Sequence, residues 1–183
     1  MFIKQLIKGG SRFSQFIAVS IVVILCLQFL VQPAHAQSQQ QTSIEVQLAQ
    51  VRAATAQFHS TQVAKAAGYT SVPGLDSCFN NPGVGGMGFH LIKTSSLDLT
   101  VNVLEPEAMV YAPGPNGQFQ LDAVEYIVPA APWDAAGNTQ PPSVLGERFH
   151  LDTALGVYIL HAWIWRENPL GMFEDWNPKV SCR

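Results

Sequence analysis

The feature that most constrains this fold is a change of hydrophobic period at Gly68. Before it, Ile44, Leu48, Val51, Ala54 and Phe58 recur at three- and four-residue spacing and mark one apolar stripe of a helix. After it no such stripe returns. Apolar residues alternate or run in short blocks between Gly, Pro and Asn, which is the pattern of strands and turns. A helix followed by strands on short turns predicts a single α+β domain over 42–183. In that fold an N-terminal amphipathic helix packs on a mainly antiparallel β-sheet or small open barrel. Thr42-Ser43-Ile44-Glu45 has the form of a capping box and predicts the helix start. Gly68 is a natural stop, and Ser60 or Thr61 can recap a short second piece. His59 lies off the stripe and reads as solvent-facing.

The segment before the helix is of another kind. Lys4, Lys8 and Arg12 precede an almost unbroken apolar run over 16–31, then Pro33 and Ala34-His35-Ala36. This is the pattern of a secretory signal peptide over 1–36, cleaved after Ala36. The run is short for an uncleaved anchor. Cys26 sits inside it behind Leu25, which is not small, so a lipoprotein signal does not fit. The glutamine-rich 37–41 reads as a disordered leader. Cleavage leaves 147 of the 183 residues, one ordinary domain. The signal holds three of the ten Lys/Arg and none of the thirteen Asp/Glu, so the remainder has a formal charge of −6. An acidic domain without a basic run is a poor partner for nucleic acid or anionic lipid. The expected location is exported, periplasmic or secreted, with no membrane attachment after cleavage. Nothing in the sequence identifies a protein partner.

Two cysteines survive processing, Cys78 and Cys182, and an even pair in an oxidising compartment predicts one disulfide. A loop of this length implies up to about 4–5 kcal/mol of stabilisation in the chain-entropy picture. Neither cysteine has a second Cys or His two to four residues away, which argues against thiolate metal ligands.

Strands are expected over 87–92, 97–104, 107–112, 118–128 and 157–165. The turn 113–117 ends in Asn-Gly and joins two of them as a hairpin. The stretch 130–143 reads as a long loop, and the tail to Cys182 as a return over the body. The glycines at 83–88 lack the context of a nucleotide loop and read as a tight or bulged start to a strand. There is no Gly-x-Ser-x-Gly, His-Glu-x-x-His or Cys-x-x-Cys.

Chemistry comes from strand parity. Phe119, Leu121, Ala123, Glu125 and Ile127 would share one face, with Gln118, Gln120 and Asp122 opposite. Val157, Ile159, His161, Trp163 and Trp165 would share another. Glu107 alternates with Met109 and Tyr111, and His90 with Ile92. Ionisable groups on apolar faces are costly without partners. His90, Glu125 and His161, with Glu107 as a fourth ligand or supporting partner, can therefore converge on a transition metal such as Zn, Cu, Mn or Fe. The structural alternative is a glutamate accepting a hydrogen bond from a core histidine. His150 and Asp152 read as a surface pair. Glu167, Glu174 and Asp175 read as an acidic surface, and Arg166 as a solvated or edge position. A second candidate is an aromatic pocket for a small apolar ligand, formed by Tyr158, Trp163, Trp165, Met172, Phe173 and Trp176.

The segments Gly85-Gly86-Met87-Gly88-Phe89-His90, Pro106-Glu107-Ala108-Met109-Val110-Tyr111, Val124-Glu125-Tyr126 and 161–169, with Trp176-Asn177-Pro178 and Cys182, resemble a family of small exported bacterial proteins of unassigned function. The resemblance implies export and a single domain, and no catalytic residue. The leading functional expectation is an exported metal-binding protein. The alternatives are a non-enzymatic module holding an apolar ligand, or an envelope interaction protein.

Overall fold

The computed structural model describes residues 32–182. The basic and apolar parts of the proposed signal, Cys26 among them, lie outside the described residues. Among the described residues, no helix is long and apolar enough to cross a membrane. The chain divides between Ser43 and Ile44. Before the division come the first turns of a helix. After it comes a compact body, Ile44–Arg183, which holds the sheet, the disulfide and every candidate residue.

Helix α1 spans Gln32–Thr55. It starts earlier than the capping box predicts, so 37–41 is helical rather than an irregular leader and Thr42 lies mid-helix. Alanine and glutamine are good helix formers, and Pro33 stands in the first turn where a missing amide costs nothing. A 3-10 turn, Ala56–His59, and the short helix α2, Thr61–Ala66, follow. The Ser60 hydroxyl caps α2 by accepting from the Val63 amide. Leu48, Val51 and Phe58 are buried and Ile44 packs beside them, so the apolar stripe docks as its spacing predicts. Each such side chain contributes roughly 1.5–3 kcal/mol when fully buried, more than a cap does. His59 is exposed, as expected.

The body is built on a curled, six-stranded antiparallel sheet, a half-barrel. Its strands are β1 Phe79–Asn81, β2 Gly85–Ile92, β3 Ala108–Pro113, β4 Phe119–Pro129, β7 His150–Asp152 and β8 Val157–Ala162. Their order is β1-β2-β3-β4-β8-β7. A separate ribbon pairs β5 Ser143–Val144 with β6 Glu147–Arg148. The β3–β4 hairpin turns where Asn-Gly predicts, with the Gly114 amide donating to the Gln118 carbonyl. The disulfide Cys78–Cys182 is present, with Cα atoms 5.5 Å apart. The tail returns beside β2, where the backbones of Gly86 and Asn177 exchange hydrogen bonds.

Three expectations are corrected. Residues 97–104 form turns, not a strand, because the Asp98 and Asn102 side chains accept from the Thr100 and Leu104 amides and hold the chain in tight bends. The stretch 130–143 opens with the short helix α3, Ala130–Ala135. Strand β8 stops at Ala162, short of the expected end at Trp165. Beyond Ala162 the chain leaves the ladder, and both Trp165 and Arg166 donate their amides to the Asp122 carbonyl.

The sheet is buried on both faces. On one, Met109, Tyr111, Val124, Tyr126, Val128 and Leu160 pack against the helices. On the other, Ile92, Ala108, Ile127 and Ile159 form one cluster and Val110, Ala112, Ala123 and Trp163 another.

Candidate metal centre

A bulge in β4 decides which side chains face the second cluster. Tyr111 pairs with Leu121 and Val110 with Ala123, so Asp122 is an extra residue. A bulge reverses strand parity. Leu121 therefore joins the helix-side core with Val124 and Tyr126, not the face of Ala123, Glu125 and Ile127. Asp122 is buried, and its carboxylate meets the Arg166 guanidinium at 2.7 Å. Arg166 is thus half-buried and paired rather than solvated.

Register then brings the candidate ligands together. Across one rung, Ile92, Ala108, Glu125 and His161 lie on successive strands. His90, Val110 and Ala123 form the neighbouring rung. His90 and Glu125 stand two strands apart, roughly 10 Å at the backbone. They meet because the residues between them on β3 are Ala108 and Val110, too short to fill the gap. The imidazole Nε2 atoms of His90 and His161 are 3.2 Å apart. Glu125 Oε2 lies 3.5 Å from His90 Nε2, and Glu125 Oε1 lies 3.6 Å from His161 Nδ1. One ligand atom from each residue can be chosen so that all lie within 4.8 Å of one another. All three side chains are buried.

Two further residues complete the network; both are expected at the surface, and His150 does stand exposed there. His161 Nδ1 donates to Asp175 Oδ1 at 3.2 Å, and Asp175 Oδ2 meets His150 Nε2 at 3.1 Å. Asp175 is half-buried. It reaches the site from the tail, so nothing in local periodicity could place it there. Asp152 does not pair with His150; its carboxylate accepts from the Ala154 and Leu155 amides. Glu107 is buried but turned elsewhere. It accepts from the Ile127 amide at 2.9 Å and does not join the ligand cluster.

Electrostatics sort the group into distinct roles. Burial, reinforced by His161, pushes the His90 imidazolium down to about 3, so His90 is neutral. Burial opposes a charged His161, but Glu125 and Asp175 outweigh it and raise its affinity for a proton. Burial raises Glu125 above the usual carboxylate range. Asp175 is also opposed by burial, yet His161 and His150 hold it below its usual range. A short contact between two ring nitrogens needs one proton between them, and His161 is the better donor. Among the described residues, His90 Nδ1 is buried without a partner. Such an atom costs about 1–3 kcal/mol, and it marks a place where a small polar species belongs.

The residues expected to line an aromatic pocket divide between clusters. Trp163 belongs to the small cluster on the site face. Tyr158, Trp165, Met172 and Phe173 pack against the helix-side core, because the chain leaves β8 after Ala162 and Trp165 turns over. Trp176 is half-buried, and Trp163 Nε1 donates to the Glu174 carbonyl. A cavity of about 370 Å³ lies elsewhere, with His90 and Glu125 in its wall.

Comparison of the chain with protein-family models, with curated proteins and with solved structures finds no match.

Proposed function

We propose that this is an exported protein that binds one transition metal ion, Zn, Cu, Mn or Fe, through His90, Glu125 and His161. The observation that carries the reading is the spacing of the donors. Two nitrogens at about 2.0–2.1 Å from a tetrahedral ion stand about 3.3–3.4 Å apart. The two Nε2 atoms are 3.2 Å apart, with a carboxylate oxygen 3.5 Å from one of them. Two imidazoles and one carboxylate form a donor set used by zinc and non-haem iron sites, and it leaves a coordination position open. Asp175 on His161 Nδ1 supplies the outer carboxylate that orients a metal-bound histidine. The basic, apolar and small-residue pattern of 1–36 supports export, and the disulfide suits an oxidising compartment.

The test is elemental mass spectrometry on protein secreted by its own signal and purified without chelators or a His tag. About one equivalent per chain is expected, retained in His59→Ala and lost in His161→Ala and Glu125→Gln. Identical behaviour of all three variants, or no uptake after incubation with each metal, would reduce the group to a hydrogen-bonded core network.

A further inference from the structure

We infer that the cavity beside the His/Glu group binds an uncharged medium-chain molecule with one oxygen head group, an alcohol or aldehyde, its head against His90 and Glu125. The inference takes from the reading above only that this end of the cavity is polar. Leu75, Ile92, Leu97, Ile127, Leu155 and Ile159 make most of the wall, and Phe79 is its one aromatic ring. Aliphatic walls favour a chain over a stacked planar ring. A cavity of about 150 Å³ holds benzene, so 370 Å³ accommodates at most about 15 non-hydrogen atoms.

The polar lining selects the head group. It consists of His90, Glu125 and Asp152, with no Lys or Arg. In the metal-free cavity a carboxylate or phosphate head would meet two acidic side chains and no Lys or Arg. Asp152 is half-buried with its Oδ1 engaged by the Ala154 and Leu155 amides, whereas His90 and Glu125 are buried and are placed to meet the oxygen. Ala154 and Leu155 are exposed, in the turn after β7, and form the rim. An exposed leucine beside an apolar cavity suits the passage of an apolar chain.

The experiment is calorimetric titration of the mature protein, metal-free and zinc-loaded, with 1-decanol and with decanoate. Saturable binding of decanol is expected, with decanoate at least about tenfold weaker in the metal-free protein. Ala154→Trp, which plugs the rim, should abolish decanol binding and leave metal uptake and melting unchanged. Leu155→Asp, at another exposed rim position, provides a second variant should the first fail to fold. No decanol binding in either metal state overturns the inference even where metal uptake is normal. Decanoate binding as tightly as decanol in the metal-free protein overturns the uncharged head group. Decanol binding without any metal uptake upholds the cavity site and removes the metal reading, so the two fail separately.

Discussion

At the scale of single residues, the site is a relay of partners in which each histidine has a different task. His161 is held from behind by Asp175, and Asp175 by His150. Asp175→Asn should weaken metal affinity by roughly 10–100-fold without abolishing it, as read by chelator competition. Metal must also displace a proton, because Glu125 and Asp175 raise the proton affinity of His161. Affinity should therefore fall with acidification, about tenfold per pH unit for one displaced proton, and a flat profile would remove His161 as a ligand. Glu107 provides a separate test. Burial pushes its carboxyl up to about 7, against an ordinary value of 4.5. Its folded-state value is raised, so its contribution is most favourable below about 4.5 and is lost as pH rises towards 7. Glu107→Gln should gain on the wild type over that window, by at most about 3 kcal/mol, in paired denaturant titrations at pH 4.5 and 8.

At the scale of elements, a bulge and a glycine set the aim of the site. The extra residue at Asp122 turns Leu121 to the helix side while Ala123 and Glu125 face the site. On β2, Gly88 has φ +95°, and an added Cβ would stand 2.7 Å from the Tyr111 carbonyl oxygen. This close approach lets β2 lie against β3 with His90 in register with Val110. Gly88→Ala should cost about 1–3 kcal/mol for the backbone strain alone, and should weaken metal uptake by displacing His90. An unchanged melting temperature would contradict that account.

At the scale of the whole molecule, the disulfide ties the tail that carries Asp175 to the chain just before β1. Its loop spans a sequence separation of 104. Cys182→Ser should lower unfolding free energy by up to about 4–5 kcal/mol, measured against the oxidised wild type. Because the backbone bonds between Gly86 and Asn177 hold the same tail, the variant should still fold but should bind metal less tightly.

The sequence by itself determined the helix stripe, the strand-and-turn body, the disulfide and the histidines and glutamate that sit on apolar faces. The helix, strands and face positions are local periods decided by a few neighbouring residues, and the disulfide is the one pairing two cysteines left after signal cleavage allow. The tertiary structure decided the rest. Bulge parity moved Leu121 to the helix side, because one extra residue inverts a two-residue period, and Trp165 turned there because the chain leaves β8 after Ala162. Glu107 went to the Ile127 backbone amide and not to the cluster. Asp175 joined His161 from across the chain, and the cavity opened over aliphatic residues from several separate segments. Contacts between residues so far apart depend on how the sheet curls and where the tail returns, and no local pattern encodes either.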